Sequence, residues 1–250
     1  MCCFSGPVNS VNKTNIFVRR TSKSHQAVVY SMSIDTPTDV AMILPIPVAK
    51  GTGEKDVTFV NLEKYKHFFK DMAKGFPRPK SLANSKSRGI PAPPSDSLQL
   101  KVVSVGAFEA SFVPSPADFA RLDKRFRLPT GTFERLPGYA SFGFAVFKLK
   151  KGRSDVHPMA FRFPTRWPEK LFFPTVHIHD GKIHKSAKFD HSLFLQANVE
   201  EDKPLRGWME SPKVASGFMD VKESQAIVNA NDHCYWRRVR GRRANTDITV

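Results

Sequence analysis

The sequence predicts an α+β fold built mainly on antiparallel β-sheet with a few short helices. Three observations carry that expectation. Runs rich in Val, Ile, Met and Phe between turn residues outnumber runs with helical periodicity, no regular strand–helix alternation recurs, and no internal repeat is present. A chain of 250 residues, 40% hydrophobic and with 21 Phe, also holds enough apolar side chain for one sizeable core.

The elements follow in order. TNIFVRR, QAVVYSMSI and DVAMILPIPV read as strands near residues 14–20, 26–34 and 39–48. A helix follows in NLEKYKHFFKDMAKG: Asn61 is placed to cap it, Leu62, Tyr65, Phe68, Phe69 and Met72 share one face, and Gly75 is placed to end it. Residues 76–97 hold five Pro and five Ser without periodicity, and we expect an insertion loop at 76–98 within one domain spanning 1–198. LQLKVVSVGAFEASFV reads as one long or two short strands. In SPADFARLDKRF, Ser115 and Pro116 suit a helix start and Asp118 favours its positive end. ASFGFAVFKLK, HPMAFRF, LFFPTVHIH and AKFDHSLFLQ supply further strands, the first alternating as if one face were buried. Residues 199–250 read as a polar C-terminal extension with a basic tail and short helices around Ala215 and Lys222.

Composition narrows the function classes. No run of about 18 apolar residues occurs, and MCCFSGPVNS lacks the basic and apolar regions of a signal peptide, so we expect a cytoplasmic protein with no membrane partner. Three cysteines, Cys2, Cys3 and Cys234, do not make an even disulfide framework, which leaves free thiols or metal ligands. Lys and Arg total 39 against 23 acids, a balance that favours anionic partners. Eight Lys or Arg fall in residues 64–88, and five Arg (Arg237, Arg238, Arg240, Arg242 and Arg243) fall within seven residues. Solvated surface is the plain reading of these clusters; nucleic acid or another polyanion is the functional one, although no zinc-finger, RRM, KH or helix-turn-helix signature is present.

VHIHDGKIH gathers three of the eight histidines. Asp180-Gly181 between β-patterned runs is a two-residue hairpin signal. With that turn, His177 opposes His184, and His177, His179, Lys182 and His184 share one face. The spacing lets three imidazoles reach one zinc, iron or copper ion at about 2.0–2.1 Å while leaving an open position, as a catalytic metal site requires. Lys182 opposes a cation there, and Asp190 and His191 are placed as additional or supporting ligands. A polar hairpin face without a ligand and a metal-free catalytic histidine are the alternatives. Trp167 and Trp208 fit turns packed on the sheet, and Trp236 with His233 and Cys234 reads as part of the exposed tail.

At the chain start, removal of Met1 before small Cys2 would leave an α-amine beside a thiol, a base and a nucleophile on one residue. MCCFSG followed by NIFVRR resembles the opening of the cholylglycine hydrolase and penicillin acylase group of N-terminal-nucleophile hydrolases. That resemblance implies Cys2 as nucleophile and Arg19 or Arg20 as pocket cation, and it departs at residues 21–24, TSKS, where the group carries an Asp. A broader likeness, through CCF, NIFVRR, MILPIPV and FVNLEKYKHFF, is to an uncharacterised bacterial family and implies architecture without a reaction. The plain reading of Cys2 and Cys3 is two small buried residues. A Cys2 or Cys3 thiolate joined to His177, His179 and His184 would make a mixed sulfur and nitrogen site for zinc, copper or iron. The functional expectation is a metal-dependent enzyme acting on a small-molecule substrate through the histidine hairpin, with the Cys2 amidohydrolase and a polyanion-binding protein as alternatives.

Overall fold

Apolar runs between turn residues become strands in the computed structural model, which describes residues 2–77, 103–105, 108–122, 127, 137–178, 184–197 and 205–250. The strands are β1 (Cys2–Phe4), β2 (Ser10–Ser22), β3 (His25–Thr36), β4 (Val40–Ile46), β5 (Thr58–Asn61), β6 (Val103–Val105), β7 (Phe108–Val113) and β8 (Gly143–Leu149). They continue with β9 (Gly152–Pro164), β10 (Phe172–Phe173), β11 (His177–Ile178), β12 (Ser186–Gln196), β13 (Met209–Val214), β14 (His233–Ala244) and β15 (Ile248–Thr249). The α-helix of the described residues is α1 (Phe68–Lys74).

Two sheets dominate. One runs β11-β1-β4-β8-β7-β6 and the other β13-β14-β12-β2-β3-β9-β5, while β10 pairs with β15. The protein is β-rich with a few short helices, as expected. The sheets are mixed: β1 with β11 and β2 with β12 are parallel, and the remaining pairs are antiparallel.

Alternation explains how the seven-stranded sheet supports two cores. Ile16, Val18, Val28, Tyr30, Phe161, Leu193 and Leu195 join one cluster together with Ile43, Phe112 and Phe147 of the six-stranded sheet. The intervening Phe17, Ala27, Val29, Ala160 and Phe194 face the other way and pack with Phe68 and Met72 of α1 and with Met219, Ile227 and Val228. Full burial of each large apolar side chain contributes about 1.5–3 kcal/mol, so both faces of this sheet are fastened. Phe17 meets Phe68 edge-on at 5.6 Å.

Local expectations change in instructive ways. The helix at 61–75 is split: a 3-10 turn Glu63–Tyr65 precedes α1, and the Asn61 side chain accepts from the Glu63 N–H at 2.8 Å. Gly75 ends α1 with ordinary φ (−65°); what glycine supplies is clearance, since a Cβ would lie 2.6 Å from the Phe218 ring. The expected helix after Ser115 is a six-residue 3-10 helix, Pro116–Arg121, and the Ser115 hydroxyl donates to the Asp118 carboxylate at 2.7 Å rather than capping the backbone. β8 is buried on both faces instead of one, because the same 3-10 helix lays Phe119 on Phe144 with centroids 5.0 Å apart. The run LFFPTVHIH divides into β10 and β11, which belong to different sheets. A 3-10 turn forms at Ala215–Gly217, whereas Lys222 lies in turns. The insertion expected at 76–98 falls outside the described residues from 78 onward.

The segment expected as a C-terminal extension supplies strands to the sheets. β14 pairs with β12 over ten residues, from Ser186↔Ala244 to Leu195↔Tyr235. His233 and Cys234 therefore lie in a strand, with Cys234 fully buried, and the thiol is pushed up to about 12 by burial. Trp167 packs on Phe142 and Phe172, and Trp208 stacks on Phe173 at 5.6 Å, as turn tryptophans against the sheet. No helix of the described residues is long and apolar enough to cross a membrane.

Candidate thiol and imidazole site

The chain start and the first histidine of VHIHDGKIH are adjacent. β1 runs parallel to β11 with Cys2 in register with His177 and Cys3 with Ile178, so two constellations 175 residues apart in sequence meet on one edge of the six-stranded sheet. On its other side β1 pairs antiparallel with β4, Cys3 against Ile43. Cys3 is 2% exposed and sits in the core among Phe4 and the β4 residues, matching the plain reading of that cysteine.

The segment after β14 closes this edge. The Asn245 side chain accepts from the His177 N–H at 2.7 Å and donates to the His177 carbonyl at 2.9 Å. It also donates to the His184 carbonyl at 3.0 Å, so one carboxamide bridges His177 and His184. Asp247 continues the pattern by accepting from the N–H groups of Thr175 (2.6 Å) and Val176 (2.9 Å). Tyr139 donates its hydroxyl to the second oxygen of Asp247. Burial pushes the Asp247 carboxyl up, against the pull of Tyr139 and the two backbone donors. Burial, and then the Asp247 charge, push the Tyr139 phenol up.

His177 brings a second imidazole with it. Its ring centroid lies 5.0 Å from that of His191 on β12, and Phe189 packs against both at 4.6 and 5.2 Å. His191 is 1% exposed. The Asp190 N–H donates to its Nδ1 at 3.2 Å, which puts the proton of the neutral ring on Nε2. Asp190 faces the opposite side of the strand, where Arg238 and Arg240 bind its carboxylate. Burial alone would raise the Asp190 carboxyl, but the two guanidiniums outweigh it and hold it below its usual range.

Of the expected site residues, the structure therefore gathers Cys2 (by backbone register), His177 and His191, with His184 close along the backbone. It separates Asp190 from them. His179, the Asp180-Gly181 turn and Lys182 lie outside the described residues. Among the described residues no group of three or more His, Cys, Asp or Glu is arranged to hold a metal ion. Arg19 is not brought to Cys2: it belongs to the other sheet and donates to the carbonyls of Ile227 (2.6 Å) and Ala226 (2.7 Å). Arg20 likewise donates to the carbonyls of Trp167 (3.4 Å) and Lys170 (2.9 Å). The five arginines form a strand rather than a tail: Arg238 and Arg240 bind Asp190, Arg242 donates to Ser186 Oγ at 2.9 Å, and Arg243 donates to the Arg240 carbonyl at 3.0 Å. His157 stacks on Phe108 at 3.9 Å.

Asn245, Asp247 and Tyr139 carry no motif in the sequence. The one available signal is that Asn and Asp are short side chains suited to bonding nearby backbone, and here they do so across the fold.

No family model matches the chain, and no curated protein matches it. Among solved structures the chain is similar to baculovirus P35, at 12% identity and a TM-score of 0.49 over 98% of each chain. It is similar to a mutated baculovirus P35 after caspase cleavage, at 12% identity and a TM-score of 0.49 over 95% of this chain and 99% of that one. The P35 of a caspase-8/P35 complex matches at 10% identity and a TM-score of 0.48, covering 95% of each chain.

Proposed function

We propose that the protein is a thiol-dependent amidohydrolase in which Cys2, made the first residue by removal of Met1, is the nucleophile. The observation that carries this reading is the parallel register of Cys2 with His177, the His177 ring lying 5.0 Å from that of His191. In the reaction the α-amine of Cys2 takes the thiol proton, and the sulfur adds to the amide carbonyl carbon. The carbon–nitrogen bond then breaks as the proton passes to the leaving amine, and water hydrolyses the resulting thioester. This reading assigns His177 to favouring the thiolate form of Cys2. The resemblance of MCCFSG and NIFVRR to the N-terminal-nucleophile group supports the same chemistry, without a pocket role for Arg19.

Intact mass and turnover of an amide panel test this reading. The expected result is a chain lacking Met1 whose hydrolysis disappears in Cys2→Ala, persists in Cys3→Ala, and falls roughly 10²-fold or more in His177→Gln. A retained Met1, or full turnover by Cys2→Ala, overturns it.

A second reading keeps the metal. What supports it is the 5.0 Å approach of the His177 and His191 rings, with the His177 and His184 carbonyls sharing the Asn245 amide; the reading adds His179 and His184 as further ligands. That reading expects close to one zinc, iron or copper per chain after growth in supplemented medium, lost in the His177→Ala/His179→Ala double variant. Metal-free protein from that medium removes it.

A further inference from the structure

The seven-stranded sheet ends on a long charged edge. β13 pairs with β14 only at Met209↔Trp236, Glu210↔Tyr235 and Val214↔His233. From residue 237 to 244, β14 has β12 as its sole partner strand among the described residues, so one backbone side of eight residues faces outward. Every residue in that stretch except Val239 is exposed.

This edge has three properties that favour an added strand. Its register with β12 passes through Gly241 without a shift, although Gly241 takes a φ of +85° and the Arg240 carbonyl accepts from the Arg243 side chain. Among the described residues Gly241 has no neighbour within 4 Å of the position a Cβ would take, which leaves room there for another backbone. Its side chains alternate faces: Arg238, Arg240 and Arg242 lie on one, about 6.5–7 Å apart in succession, and Arg237 and Arg243 lie on the other, about 20 Å apart. Against these five arginines the ion pairs of the described residues offer one carboxylate, Asp190, and Arg240 keeps 71% of its side-chain surface exposed. An isolated strand edge is a liability that proteins blunt with charge. That charge also selects what may pair with it.

We infer that residues 237–244 of β14 are a docking edge for an extended acidic peptide segment of a partner protein. The segment adds as a strand through main-chain hydrogen bonds and sets carboxylates against arginines on both faces. A nucleic acid would use the same positive charge but has no ladder of alternating donors and acceptors to match the open backbone.

Fluorescence anisotropy with a labelled twelve-residue peptide of alternating Glu and Thr tests the inference on the full chain. We expect binding that weakens at high salt, falls at least tenfold when alternate peptide amides are N-methylated, and falls at least tenfold for Arg237→Glu/Arg242→Glu. The variant Lys23→Glu, in the exposed β2–β3 turn, should bind as the parent does. The N-methylated peptide uses the unaltered protein, so its result stands even if the double variant misfolds. Four outcomes overturn the inference: no binding, equal binding of the N-methylated peptide, indifference of a folded Arg237→Glu/Arg242→Glu chain, or tighter binding of a twelve-nucleotide single-stranded DNA than of the peptide.

Discussion

Asn245 holds His177 by both backbone groups, accepting from its N–H at 2.7 Å and donating to its carbonyl at 2.9 Å. One carboxamide thereby acts as a surrogate neighbouring strand for β11, a strand only two residues long. Replacing it by Ala leaves these groups and the His184 carbonyl to find water. Asn245→Ala should cost about 1–3 kcal/mol in urea unfolding. Loss of amide-exchange protection at His177 and Ile178, with the centre of β2 unaffected, identifies the cause.

Glycine at 143 is set by space. A Cβ there would sit 2.5 Å from the ring of fully buried Phe112 and 3.1 Å from Val48 Cγ2, whereas at Gly138 it would meet nothing within 4 Å. Gly143→Ala should destabilise by about 1–3 kcal/mol, the usual range for overpacking. Gly138→Ala should leave the unfolding midpoint close to that of the parent. Equal midpoints for the two variants would contradict the packing described.

His157 predicts an acid sensitivity. Burial depresses its pKa below the ordinary value, outweighing the pull of its hydrogen bond to the Pro158 carbonyl. A base whose folded pKa is lowered contributes stability that is present above its unfolded pKa and is lost as pH falls through the folded value, since the unfolded chain binds the proton more readily. The unfolding free energy should therefore fall as pH drops below about 6.5. His157→Gln should flatten that portion of the profile relative to the parent.

Cys234 and Cys3 should be silent thiols. Cys234 is fully buried with its thiol pushed up to about 12, and Cys3 is 2% exposed. Iodoacetamide at pH 8 should leave both unmodified in the folded protein, by peptide mass mapping, and label both in 8 M urea. Folded-state labelling of Cys234 would show that β14 opens at its start.

Much of the architecture is legible because apolar runs bounded by turn residues announce strands: β2, β3, β4 and β12 fall where those runs put them. The helix at 61–75 was overread, since its aromatic stripe fits α1 but also serves a 3-10 turn at Tyr65, whose hydroxyl accepts from the Asp220 N–H. The arginine run looked like a tail because its charges hide a strand that buries only Cys234, Tyr235 and Val239. At the site, nothing in the sequence joins Cys2 to His177. That meeting depends on a parallel pair, which no turn signal encodes.

The parallel pairing of β2 with β12 also sets a schedule. Residues 14–19 lie against 191–196, so β2 finds its second neighbour only in a strand 177 residues further along the chain. At roughly 5–20 residues per second, β2 and β3 wait on the order of ten seconds or longer with one flank open. The β2–β3 pair passes through that interval with its flanking strand edges unpaired, a long exposure for strands this apolar.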